Sequence, residues 1–380
     1  MIYFFLYLTI ISAIYVELSS SKYRKIITIF VLFLISLVLG SKYQIGVDWY
    51  GYEYFYNLEE DKLSKLTLEP GFKFLMNLSN YIGISYYTFN LLITSTSLLI
   101  FYKFWSKHLG LVMIPLIFLF YKGYGGLLFD QTRQLISFSI SLLAIQYLLK
   151  KQMMSYFISM FMAVLFHTSS IILILYVFLI KIKFQKITLI ILYALGFILA
   201  ILHIDLFSFI PSLIKSLNLM DIPAMGKIFR YMSREPFSFF TFGSVEKLIL
   251  FCCYIFVFNQ SNYTLQNKYR FFYNLGLLYF FFSLYFFNYP TMSARFSVYF
   301  FVGVAYIFSI YILTFKKHAS ALIASFYFTL MVILYFRNIE YIHMLSPYKN
   351  YYINAVILEE YDINKDKVED YWSKSGLILK

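Results

Sequence analysis

The sequence predicts an all-α polytopic integral membrane protein of about twelve transmembrane helices, and three observations carry that reading. Of the 380 residues, 61% are hydrophobic and 23% aromatic, with a mean hydropathy of +0.71. Only 13% are charged, about half the fraction usual in soluble proteins. Apolar runs recur from residue 2 to about Tyr335, many near the ~20 residues that cross a bilayer. The runs do not alternate as barrel strands would.

Spans are expected near 2–17, 26–40, 85–102, 109–121, 127–149, 153–166, 169–182, 187–203, 244–259, 271–288, 294–314 and 319–336. The first has no Lys or Arg before it and no small-residue cleavage site after it, so it reads as a retained span. The thirty residues 153–182 are long enough for one tilted helix. They are divided at Phe166 to Ser170, because a single crossing would put Lys183 and Lys186 on the outer side. Cys252 and Cys253 are adjacent inside an apolar run and read as core residues, with neither disulfide nor metal expected.

The connections orient the bundle. SSSKYRK, KFWSKHLG, LKKQ, KIKFQK, NQSNYTLQNKYR and TFKKHAS hold fourteen Lys and Arg and no Asp or Glu, with Glu17 at the edge of the first. The rest of the chain mixes both signs. Short basic loops face the cytoplasm, so both termini are expected outside. The net charge of +13 follows from this distribution, and no nucleic-acid partner is implied. A membrane domain over 1–337 then carries two large external loops, about 41–84 and 204–243, and 338–380 is an external tail. No loop is long enough for a conventional soluble catalytic domain.

Polar residues gather on the outer side. In FDQTRQLISF, a helix from about Leu127 sets Asp130, Arg133 and Gln134 on one face within its outer turns. Arg133 snorkelling to the headgroups with Asp130 as partner explains them in part. A water-filled cavity explains more, since ionisable residues within a membrane mark functional sites. Asp48 in GVDWYGYEYF is a candidate base or a turn residue beside Gly46 and Gly51. His167 in VLFHTSS and Arg295 in NYPTMSARFSVYF lie at the outer ends of spans. The second half of the first loop, Pro70 to Asn80, reads as an interfacial helix. The second loop carries Lys215, Lys227, Arg230 and Arg234.

Two arginines at one depth suggest a phosphate clamp, because a guanidinium stays charged when partly desolvated and its fork matches phosphate oxygens. Tyr and Trp near Asp48 offer flat faces for sugar rings, although an aromatic belt supplies the same residues. No nucleotide-binding glycine motif and no zinc pattern occurs, and no cofactor is expected. A transferase outside the cytoplasm must receive an activated donor, such as a lipid-linked diphosphate sugar.

The ordered set of motifs resembles the EpsG-like and Wzy-type polysaccharide polymerases. YQIGVDWYGYEYF is similar to their Gly-x-Asp aromatic element, with Val47 where Thr is frequent, and EPGFKFLMNLSNYIG to the element that follows. The block from FDQTRQ through FHTSS is similar to their polar Arg-Gln helix and Phe-His-x-Ser turn. SARFSVYF and SPYKNYY are similar to late arginine and C-terminal elements. The resemblance implies a membrane fold related to polyprenyl-donor (GT-C-like) glycosyltransferases in the bacterial cytoplasmic membrane. It implies polymerisation of undecaprenyl-diphosphate-linked repeat units at the outer face, among membrane lipids and with a possible chain-length regulator protein as partner.

On that resemblance, Arg133 and Arg295 bind the diphosphate. Asp48 or His167 orients the acceptor hydroxyl or takes its proton, with Asp48 preferred as base. Asp130 and Gln134 hold Arg133, and Glu69, Arg230 and Arg234 are further supporting residues. A ligase shares the donor and chemistry, differing only in acceptor. A flippase should show two repeated halves, an acyltransferase a cytoplasmic-side histidine and an ion-coupled transporter mid-span carboxylates, none of which fits the pattern.

Overall fold

The computed structural model describes residues 2–19, 22–46, 48–58, 68–119, 127–128, 130–232, 242–336 and 348–357. These residues are helical apart from turns and loops, and an isolated antiparallel bridge joins Lys42 to Asn350. The chain divides into two compact units: Met1–Leu143, Leu165–His167 and Ile312–Lys380 in the first, Ala144–Val164 and Thr168–Tyr311 in the second.

The first unit contains α1 (Ile2–Leu18), α2 (Arg24–Gly40), α3 (Trp49–Tyr56), α4 (Pro70–Tyr81), α5 (Tyr86–His108) and α6 (Met113–Leu119). It also holds α7 (Thr132–Leu149) as far as Leu143 and all of α17 (Lys317–Phe336). Helices α2 and α5 approach closely because Gly40 lies against the Leu91 backbone, where a Cβ would come within 2.9 Å of Cα. Glu17, at the edge of the first basic loop, is buried. Its two carboxylate oxygens each accept a backbone N–H at 2.7 Å, from Val112 and Met113, at the start of α6. A carboxylate from one helix thus satisfies the orphan donors of another.

The second unit contains α8 (Met153–Phe166, to Val164), a 3₁₀ helix (Thr168–Leu175) continued by α9 (Tyr176–Leu179), and α10 (Lys186–Ile201). Then come α11 (Phe209–Ser216), α12 (Pro223–Met232), α13 (Phe242–Phe256), α14 (Gln260–Leu265), α15 (Asn267–Tyr285) and α16 (Pro290–Ile312). Gly276 and Gly303 let α15 and α16 meet backbone to backbone, since a Cβ on Gly303 would lie 2.2 Å from the Gly276 nitrogen. Small residues at such crossings are the packing device of membrane helices.

Helix occupies part of every stretch expected to span, with differences at three. The segment 109–121 is helical over Met113–Leu119 alone among its described residues. The segment 169–182 is 3₁₀ as far as Leu175, in a helix that begins at Thr168. Ser169 and Ser170 open that segment, and serine hydroxyls compete with the helical ladder. The regular helix of 127–149 begins at Thr132, so Asp130 precedes it in a turn. Where a break is expected at Phe166 to Ser170, α8 ends at Phe166 and the 3₁₀ helix starts at Thr168, so His167 alone separates them.

Pro290–Ile312 is the one described helix with the length and hydropathy of a full crossing, and four other apolar segments are shorter. Ile187, Ile191, Leu195 and Ile198 are exposed along one face of α10. Met154, Phe157, Ile158 and Phe161 are exposed on α8, and Ile26, Phe30 and Phe33 on α2. Stripes this apolar are stable against hydrocarbon and unstable in water. Cys252 and Cys253, expected in the core, are exposed on α13, because the buried face of that helix passes through Phe251, Tyr254 and Ile255.

Candidate active site

The loop between α2 and α5 builds a charged cluster from sequence-distant pieces. Proline at the first position of α4 holds Glu69 extended (φ −65°, ψ 139°), as proline does to the residue before it. The Glu69 carboxylate does not cap its own helix. It accepts from Nη1 of Arg133 at 2.5 Å instead. Gly71 lets α4 press onto the chain at Leu165, where a Cβ would lie 2.9 Å from the carbonyl oxygen. Phe72 is buried against Tyr52 at 5.6 Å between centroids. Each letter of the Glu-Pro-Gly-Phe motif therefore has a task, and His167 is carried to the same unit two residues beyond Leu165.

Helix α4 departs from a simple interfacial reading. Phe72 and Met76 are buried, whereas Phe74 and Leu78 are exposed, so the helix presents one face to protein and the other outward.

Helix α3 supplies the second support. Trp49, Tyr52 and Tyr56 form its buried face at spacings of three and four. The Tyr52 hydroxyl accepts from Nε of Arg133 at 2.9 Å, and the guanidinium carbon lies 5.4 Å from the ring centroid. Burial pushes the Tyr52 hydroxyl up to about 12, partly offset by Arg133. Arg133 keeps 19% of its side-chain surface, and Nη2 has no hydrogen-bond partner among the described residues. An edge of the fork stays open.

Asp130 sits in the turn before α7. Its carboxylate lies against Gly46, whose φ of +97° suits glycine, and a Cβ there would come within 1.7 Å of Oδ1. Lys42, buried beside it, donates to the Leu128 carbonyl at 3.3 Å. Burial lowers the Lys42 ammonium to about 8, while the charges of Asp130 and Asp48 push it back up. Asp48 is half-buried at the N-cap position of α3, and its side chain makes no cap hydrogen bond. Gln134 and His167 are both buried in this unit. The Trp49 indole N–H is buried with no partner among the described residues.

In the second unit, Arg295 donates through Nη1 to the Tyr231 hydroxyl, and its guanidinium carbon lies 4.6 Å over that ring. Tyr231 comes from α12, inside the second large loop. Nearby in sequence, Asp205 accepts from the Tyr289 hydroxyl at 2.5 Å. The side chain of Arg230 and all of Arg234 lie outside the described residues.

Sequence reasoning missed Lys42, Tyr52 and Tyr231. Lys42 was readable only as one lysine at a span end, and the two tyrosines are among thirty-eight in the chain. The described part of the C-terminal element, Tyr348 to Tyr352, also gains a place. Tyr43 N–H donates to the Lys349 carbonyl at 2.9 Å, and Tyr351 N–H to the Ser41 carbonyl at 2.8 Å. Among the described residues, no cluster of three or more His, Cys, Asp or Glu side chains is arranged to hold a metal ion.

No curated protein and no solved structure matches the chain. The profile of the EpsG family matches residues 25–351, a span that takes in Lys42, Asp48, Glu69, Asp130, Arg133, His167 and Arg295 together with their helices. The chain belongs to the EpsG family.

Proposed function

We propose that this EpsG-family membrane protein polymerises lipid-linked oligosaccharide repeat units into a surface polysaccharide, using undecaprenyl-diphosphate donors at the outer face of the cytoplasmic membrane. The open Nη2 edge of an Arg133 already oriented by Glu69 and Tyr52 is the observation that supports it most. A pre-aligned guanidinium meets a phosphate oxygen without reorganising, which is how electrostatic stabilisation of a leaving group works best.

The acceptor hydroxyl attacks the anomeric carbon of the donor sugar, and the bond from that carbon to the diphosphate oxygen breaks. Undecaprenyl diphosphate leaves with the electron pair, and Asp48 takes the hydroxyl proton. Lys42, Arg133, Asp48, Glu69 and Asp130 place two cations among three carboxylates, so the cluster supplies a proton acceptor as well as an anion contact. His167 serves as a sugar or phosphate contact. Arg295, oriented by Tyr231, is proposed as an anion contact within its own unit. The short basic loops carry the assignment of this face to the outside.

The test is a gel of surface polysaccharide from cells lacking the gene, complemented with wild type or Arg133→Ala. A ladder with wild type and a single-repeat band with the variant are expected. A null strain that keeps its ladder, or loses even the single-repeat product, overturns polymerisation in favour of ligation, transfer or flipping.

A further inference from the structure

A second feature of the first unit is a cavity of about 370 Å³ lined by Tyr43, Glu53, Tyr56, Asn80, Tyr87 and Tyr351, among others. We propose that it is a carbohydrate subsite, holding a sugar ring of the acceptor or growing glycan while Arg133 engages the diphosphate. The proposal rests on the polymerisation reading for which glycan is bound, and on the cavity's own chemistry for the ligand class.

That chemistry is distinct from the arginine cluster. No Lys or Arg lines the cavity, so a phosphate has no counter-charge there. Glu53 and two asparagine amides make it too polar for a lipid tail, which offers no partner for their remaining hydrogen-bonding capacity. Aromatic ring atoms set among hydroxyl, amide and carboxylate groups suit a ring with apolar C–H faces and an equatorial hydroxyl edge. The size lies within the ~300–1,000 Å³ of small-molecule sites.

The walls are built rather than incidental. Tyr87 donates to Glu53 Oε2 at 3.0 Å, fixing the carboxylate. Tyr351 stacks on Tyr87 with centroids 4.8 Å apart and planes 20° apart, while Tyr43 meets Tyr87 edge-on at 4.9 Å. Asn80 donates to the Tyr56 carbonyl at 2.8 Å, and the Tyr56 hydroxyl to the Ile84 carbonyl at 2.6 Å. The backbone pairing of residues 41–43 with 349–351 holds Tyr351 in place. Gly83 adds open space, since a Cβ there meets nothing within 4 Å. The neighbouring residues Tyr52 and Glu53 of α3 serve the two sites: the first bonds Arg133, the second faces the cavity.

The experiment uses full-length protein in nanodiscs with two probes. One is the host repeat-unit oligosaccharide, freed of lipid and phosphate; the other is undecaprenyl diphosphate without sugar. Calorimetry is expected to show Glu53→Gln and Tyr87→Phe weakening the oligosaccharide at least tenfold and leaving the lipid diphosphate within twofold. Arg133→Ala should do the reverse. Wild type that binds no oligosaccharide, or variants at Glu53 and Tyr87 that bind it as wild type does, overturn the subsite. Tyr87→Phe keeps the ring packing, so it separates loss of ligand contact from loss of fold. If Glu53-dependent glycan binding is found while the Arg133→Ala strain keeps a full ladder, the subsite stands and the catalytic reading of Arg133 fails.

Discussion

Arg133 and Arg295 are held by the same device in different surroundings. Each lies at the start of a long helix, donates to a tyrosine hydroxyl and sits over that tyrosine's ring. For Arg133 the tyrosine is joined by a buried carboxylate, Glu69, in a unit where Lys42, Asp48 and Asp130 add further charge. Arg295 takes its tyrosine from α12, whose loop exposes Phe209, Leu213 and Met220. A tyrosine orients a guanidinium without cancelling its charge. A carboxylate orients it more firmly and partly neutralises it. Glu69 therefore adds firmness of placement to Arg133 beyond what Tyr52 gives.

Lysine substitutions give the largest expected effect and test that contrast directly. Arg133→Lys should lower polymer output about 100-fold, the scale of losing one oriented anion donor. Arg295→Lys should cost about tenfold; both changes keep the charge, but Arg133→Lys also loses a fork that Glu69 and Tyr52 align. Equal losses in a membrane polymerisation assay would break the comparison.

Removing supports comes next. Gly46→Ala should lower the unfolding free energy in detergent by about 3 kcal/mol, because the new Cβ must displace the Asp130 carboxylate and adopt a left-handed φ. Gly83→Ala shares the positive φ but opens onto empty space, so about 1–2 kcal/mol is expected. A Gly46→Ala protein no less stable than Gly83→Ala would show that Asp130 yields freely.

Tyrosine hydroxyls are worth less. Tyr52→Phe should cost about 1 kcal/mol, with the Glu69 contact still holding Arg133. Tyr231→Phe should cost a similar amount of stability and a larger share of activity. Thermal melting combined with the polymerisation assay separates the two, and an activity loss greater for Tyr52→Phe reverses the comparison.

The smallest effect is a pH slope. Burial holds Lys42 at about 8 against 10.5 for a free lysine. The folded state then binds fewer protons between those values, so its stability rises with pH across that window. The contribution is complete above 10.5 and is lost as pH falls through about 8. Lys42→Met should flatten the melting temperature between pH 8 and 10.5, and an unchanged slope would remove Lys42 from the buried cluster.

Much of this was legible in the chain itself. Apolar runs, basic short loops and the order of the polar motifs are local properties, and a helix is found in each stretch they mark. Glu69, Asp130, Arg133, Gln134 and His167 were identifiable because a buried polar residue in an apolar background is conspicuous. Their partners were not. Tyr52 and Tyr231 look like every other tyrosine until the loops fold back, and the helical spacing that sets Asp130 beside Arg133 says nothing of its approach to Gly46.

Composition and periodicity determined the helical class and the location of the helices, since burial of apolar surface and satisfaction of the backbone act over a few turns. Tertiary structure alone decided which carboxylate faces which cation, and that Tyr351 lines a cavity with Tyr43 and Tyr87 from far earlier in the chain. Those pairings depend on where glycines permit close approach, of a carboxylate at Gly46 and of another backbone at Gly71. No local pattern records that distance.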